Sequence, residues 1–317
     1  MPTRLLLPFR VLWALAGKTV FMLNDLHLFL EALEYFDGYV HKKWKSNKIL
    51  GIILIIIFAV LLIGECVLAT FFAQVHYDEE AILRLALYTV IRLLENLVTL
   101  QCILLVLEVR TRFQIINDSI LTTAASNGNS HISRILLGVI HSPEEDCHPR
   151  VSQIDKAHAI LHRAAELLQQ HFGLTLALQI TQAVQVLIYG SYEILTLWID
   201  HTNGRRALIS KSILYSAEWI ATYLVGAIAL VVSCSAMVDE AERTRVLVVR
   251  AATLGWRRGL QPEVEALLLQ VMALPPLSVR AAGFLTIDRK LLVSALCATI
   301  TYLVILGQIS FPQQPSS

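Results

Sequence analysis

Between Ile52 and Ile63 the chain carries no polar residue. A surface helix needs a polar face toward water, so a run of this kind is either sealed in a protein core or dissolved in lipid. Its flanks decide. The apolar character extends over Leu50–Val75, enough for a helix to cross the roughly 30 Å hydrocarbon core of a bilayer. Four further segments meet the requirement of about 20 mostly apolar residues: Ile82–Leu107, Phe172–Ile199, Ser212–Val238 and Lys290–Phe311. Composition points the same way, with 56% hydrophobic and 16% charged residues in the 317, against about 45–50% and 25% in ordinary globular domains. The expected fold class is all-α, a polytopic membrane helical bundle.

A net charge of +1 without a basic stripe leaves no electrostatic footprint for nucleic acid. Four of the five cysteines, Cys66, Cys102, Cys234 and Cys297, lie in apolar runs and Cys147 lies in a polar loop. No paired spacing suggests a disulfide framework or a metal site.

Orientation follows from the lysines and arginines of the loops. Lys42, Lys43, Lys45 and Lys48 precede the first strong segment, whereas His76 to Ala81 carries only Asp78, Glu79 and Glu80 as charged residues. The Lys-rich side is therefore cytoplasmic. Glu108–His171, with Arg110, Arg112, Arg134, Arg150, Lys156 and Arg163, and Asp239–Arg289, with seven arginines, fall on that side too. The outer loop Asp200–Lys211, with Arg205, Arg206 and Lys211, is the one discordant count. The C-terminus is extracellular, an arrangement inverted relative to G-protein-coupled receptors of seven helices. Leu5–Phe21 is apolar but broken by Pro8, Arg10 and Lys18, and reads as a truncated or marginal spanning helix. Ala14-Leu15-Ala16 also resembles a signal-peptide cleavage site, although Arg10 interrupts the region before it.

Two cytoplasmic stretches have helical periodicity. Ile154, Ala157, Leu161, Ala164, Leu167 and Leu168 form one apolar stripe, and Val264, Leu267, Leu268 and Val271 another that ends at Pro275-Pro276. Three parts are expected: 1–48, a partial N-terminal helix and cytoplasmic loop; 49–238, membrane helices with the cytoplasmic loop 108–171; and 239–317, a cytoplasmic helix and the last membrane helix.

Ionisable groups in hydrocarbon are costly, which makes Glu65, Arg84, Arg92, Glu95, Glu193 and Glu218 functional candidates. Arg92 and Glu95, three apart, are placed to neutralise each other on one helix. Tyr88, Arg92, Tyr189, Glu193, Trp219 and Tyr223 occupy outer helix halves and suggest an outward-facing pocket with aromatic walls. Interfacial belts account for Tyr215 and Tyr192 without a ligand. His158 and His162, four apart, share a helix face but lack the intervening Glu of HExxH, so they read as residues of a solvated helix and not as metal ligands.

In the last segment Ser294, Thr301 and Gln308 recur every seven residues on one narrow face. Close helix packing and a water-lined path both use such a face. Here Thr301-Tyr302-Leu303-Val304-Ile305-Leu306-Gly307-Gln308 resembles the TYhhhhhQF signature of insect gustatory receptors. Gly283-Phe284-Leu285-Thr286-Ile287-Asp288-Arg289 before Leu291-Leu292 resembles the family's approach to that helix. Arg112-Phe113, Asn117, Glu240 and Arg243-Thr244 also look like family positions. Ile309 replaces the signature's Phe, Gly307 replaces a bulkier residue, and family members generally carry seven membrane helices against five clear ones here, so the first helix looks absent.

The resemblance implies a ligand-gated, nonselective cation channel: a homo- or hetero-tetramer in the plasma membrane of chemosensory neurons, without cofactor, opened by a small-molecule tastant. Thr301, Tyr302 and Gln308 carry the signature, and Ser294, Thr301, Val304, Ile305, Gln308 and Ile309 would line the pore. Leu303 stands where sugar-receptor members carry Glu, which disfavours a sugar. The other readings are a secondary transporter, although no inverted repeat is present, a membrane enzyme with a histidine-bound metal, and a non-functional truncated receptor.

Overall fold

A computed structural model of the chain describes residues 27, 29–36, 48–75, 79–127, 151–201, 206–253 and 261–310. Leu5–Phe21, Cys147 and Pro312–Ser317 lie outside them. Six helices and one hairpin are labelled here: α1 (Lys48–Val75), α2 (Glu79–Asn127), α3 (Val151–His201), α4 (Arg206–Thr253), α5 (Gln261–Ala273), β1 (Arg280–Ala281), β2 (Leu285–Thr286) and α6 (Arg289–Ser310). A short helical stretch at 29–36 precedes them. Among the described residues five helices are long and apolar enough to cross a membrane, one at each of the five segments read from hydropathy.

Helices α2, α3 and α4 have 49, 51 and 48 residues, about 72–77 Å each at 1.5 Å per residue. They are more than twice as long as a bilayer core requires. Each crosses the membrane and continues unbroken beyond it. The stretch 108–127, expected as loop, belongs to α2 because it contains neither Gly nor Pro to stop the helix. Its hydroxyls also bond back to the helix, Thr111 Oγ1 donating to the Leu107 carbonyl and Ser119 Oγ to the Ile115 carbonyl, both at 2.8 Å. Likewise Arg243, Arg245 and Arg250 stand on α4, not in a loop.

The densest core sits in this extension. Phe36, Phe113, Ile120, Leu161, Ala164, Val248 and Leu267 are fully buried there, because outside the membrane only packing removes apolar surface from water. Both predicted stripes face it, Ile154 to Leu168 on α3 and Val264, Leu267 and Val271 on α5. Helices α1 and α6, by contrast, bury only 11% and 6% of their spanning windows. Lipid solvates an apolar helix as well as a neighbour does, so nothing forces those faces inward.

The chain reaches α6 through the hairpin. Arg280 pairs with Thr286 and Ala281 with Leu285, and the reversal puts both Ala282 (φ 51°) and Gly283 (φ 82°) in the left-handed region. Glycine takes that backbone at no steric cost. The hairpin docks on α3, the Ala282 amide donating to the Gly173 carbonyl at 2.8 Å. Asp288 then caps α6, its Oδ1 accepting from the Leu291 amide at 3.0 Å.

Candidate functional site

One face of α2 carries Tyr88, Arg92, Glu95 and Thr99 at spacings of four, three and four, which aligns them along one side of a 3.6-residue helix. That side meets α3 and α4 between the membrane halves. The result is a column of polar layers in a bundle whose other faces are apolar.

In the outer layer the Arg92 guanidinium stands 2.7 Å from Glu65 Oε1 of α1, with the two side chains 1% and 2% exposed. Arg92 is thus paired across helices with Glu65, where the sequence offered Glu95 of its own helix as the neutralising neighbour. The Arg92 Cζ lies 5.4 Å from the centre of the Trp219 ring and 5.2 Å from that of Tyr223, both on α4. Desolvated contacts of this kind each contribute on the order of 2 kcal/mol. Tyr88 meets Trp219 edge-on at 5.6 Å, Tyr215 stacks on the same indole at 6.5 Å, and Tyr223 closes the other side at 6.4 Å.

One turn deeper, Tyr223 donates its hydroxyl to Glu95 Oε2 at 2.8 Å. The Gln182 amide of α3 donates to that same oxygen at 3.1 Å and to the Tyr223 oxygen at 2.7 Å. Three helices are joined in one closed triad. Beneath it Gln179 donates to Thr99 Oγ1 at 2.6 Å. A cavity of about 30 Å³ opens between these layers, lined among others by Glu95, Thr99, Gln179, Gln182, Tyr223 and Gly226. It has room for about two waters. Thr222 Oγ1 donates to Glu218 Oε1 at 3.0 Å on the α4 side.

Of the six expected pocket residues the structure brings four together: Tyr88, Arg92, Trp219 and Tyr223. Tyr189 is 58% exposed and lies off the cluster. Glu193 is half-buried, and Thr196 donates to its backbone carbonyl. The side chain of Arg84 lies outside the described residues. Sequence reasoning missed Thr99, Gln179 and Gln182, which are uncharged and so escaped a search for ionisable groups. The 88, 92, 95, 99 spacing was the signal that extends the pocket inward.

The expected pore face stands differently. Ser294, Thr301, Val304, Ile305 and Gln308 are exposed, as is Tyr302, and the Ser294 and Thr301 hydroxyls donate only to their own helix, at the Lys290 and Cys297 carbonyls. Nothing else in the chain covers this face among the described residues. Ile309 lies in the last turn of α6, its side chain outside them.

At the cytoplasmic base the remaining resemblance positions gather. Asn117 of α2 donates from Nδ2 to the Glu240 carbonyl at 3.0 Å and to Glu240 Oε1 at 2.8 Å, while Arg243 reaches the same carboxylate at 3.4 Å. Arg112 pairs with Glu108 at 2.9 Å and lies over the Phe36 ring. His158 and His162, expected on a solvated face, are instead 5% and 7% exposed. His158 packs edge-on against Phe113, and a ring nitrogen of His162 lies 3.1 Å from the Pro275 carbonyl. The long α3 carries them into the anchor core, which periodicity alone did not reveal.

Comparison with known proteins extends these observations over nearly the whole chain. No curated protein matches the sequence. Residues 19–311 match the 7tm Chemosensory receptor family, so the match includes the polar column, the cytoplasmic base and the last helix. The five apolar helices and this match identify a multi-pass membrane protein of the chemosensory class, and the chain belongs to the 7tm chemosensory receptor family.

Proposed function

We propose that the chain is a taste-receptor subunit: one part of a tetrameric, ligand-gated, nonselective cation channel in the plasma membrane of chemosensory neurons, built from copies of itself or from related subunits. The observation that carries this reading is the pairing, in one bundle, of a sealed charged and aromatic cluster with a last helix whose hydroxyl and amide face is left uncovered by the described residues. A sealed cluster near the outer side suits ligand capture. An uncovered polar face suits a path shared between subunits, where amide oxygens replace part of an ion's hydration shell and an apolar residue closes the path by dewetting.

In this arrangement Gln308 and Ile309 stand at the outer mouth, and Ile309, smaller than the family's Phe, closes it less completely. The test is current recording from receptor-free cells expressing the chain, across a panel of tastants. Trp219→Ala and Tyr223→Ala should shift the half-maximal ligand concentration upward by about 5- to 150-fold, matching roughly 1–3 kcal/mol of lost aromatic contact, at unchanged surface expression. Silence of the wild-type chain across the whole panel, or unmoved curves for both variants, contradicts the reading.

A further inference from the structure

The aromatic cage around Arg92 is incompletely hydrogen-bonded, in a specific way. Arg92 is 1% exposed, yet among the described residues its Nε and Nη2 groups have no acceptor. The indole Nε1 of Trp219, whose ring stacks against the same guanidinium, is a buried donor without an acceptor as well. On the residue before Trp219, Glu218 Oε2 is a buried acceptor without a donor. Leaving groups of this kind unmet away from water is costly, and more so when they are charged. A site that keeps three open donors and one open acceptor together is shaped to be completed.

Charge narrows what completes it. The Arg92 guanidinium is permanently charged, and Glu65 already stands against it at 2.7 Å. The missing component is therefore hydrogen bonds and not charge. An added carboxylate would enter beside Glu65, Glu95 and Glu218, with Arg92 the cation among the described residues that offsets them. An added ammonium leaves the three open donors unmet, and the ring faces it would use already hold Arg92. A zwitterion satisfies both kinds of group but must be stripped of water at two charges. An alcohol or amide offers an acceptor and a donor at a far lower desolvation cost.

We propose that the cage between α1, α2 and α4 binds an uncharged molecule carrying an amide or alcohol group on an apolar ring. Its oxygen accepts from Arg92 and Trp219, its N–H or O–H donates to Glu218, and its ring lies among Tyr88, Trp219 and Tyr223. This proposal deepens the receptor reading by naming the ligand class of the same pocket. Binding parts the Arg92–Trp219 stack, since the open volume deeper in the column admits only waters.

The test is the thermal stability of the purified full-length chain, titrated with matched sets built on phenyl, cyclohexyl and indole bodies: the primary amide, the alcohol, the carboxylate, the amine and the amino acid. Neutral members should raise the melting temperature at concentrations about tenfold lower than any charged member of their set. Trp219→Phe, which keeps an aromatic face and loses the N–H, and Arg92→Lys, which keeps the charge opposite Glu65 and loses the fork, should each weaken neutral binding about tenfold. Equal or tighter binding by a charged member, no stabilisation by any neutral member, or neutral binding unchanged in both variants overturns the proposal. Currents recorded with the same sets separate it from the channel reading: stabilisation by neutral members without current defeats the channel and leaves the ligand class standing.

Discussion

His158 sits on the cytoplasmic stretch of α3, packed against Phe113 and 5% exposed. Burial, with His162 alongside, pushes its imidazole down from 6.5 to about 4. The unfolded chain therefore binds the proton first as the pH falls, and stability drops between pH 6.5 and 4 while staying flat above 6.5. At pH 5 the loss from this one group is about 2 kcal/mol. Thermal unfolding of the full-length chain at pH 7 and pH 5 measures it, and His158→Phe, which keeps the ring packing without a titrating group, should remove most of the difference. At the same scale Arg92 illustrates why charge alone does not reveal a partner. Glu95 is the nearer residue in sequence, but the Tyr223 hydroxyl and the Gln182 amide already satisfy it, which leaves Arg92 to reach across to α1.

At the level of elements, the hairpin before α6 depends on a small side chain at position 173 of α3. A Cβ at Gly173 would stand 3.4 Å from the Arg280 carbonyl oxygen and 3.5 Å from the Ala282 nitrogen. Those are ordinary contacts, so Gly173→Ala should be tolerated, whereas the branches of Gly173→Val enter the hairpin backbone and cost about 1–3 kcal/mol. Hydrogen exchange at the Ala282 amide measures it, with faster exchange expected in the valine variant only. The existence and order of the helices were legible in the sequence because lipid demands uninterrupted apolar runs. Their true lengths were not. Residues 108–127 and 239–253 are polar enough to read as loop, and only the three-dimensional core shows which of them are covered. The candidate site was half legible for a related reason: Arg92, Trp219 and Tyr223 announce themselves by type, but Gln179, Gln182 and Thr99 matter only through the helix that faces them.

Across the whole molecule, the arrangement divides by solvent. The cytoplasmic half is held by packed apolar residues and by the Asn117–Glu240 link between α2 and α4, and the membrane half by a polar column and by lipid around α1 and α6. The loop charges place the C-terminus outside, so an epitope tag after Ser317 should be labelled on intact cells; labelling only after permeabilisation reverses the topology and every statement about inner and outer layers with it. The central functional claim concerns α6, and it meets its most direct test at Gln308. In a channel that opens to ligand, Gln308→Cys should lose its current when a small, water-soluble thiol reagent is added from outside, while the parent channel keeps most of its own. Current that persists in the cysteine variant under the reagent would mean that this face packs against protein or lipid and that ions pass elsewhere.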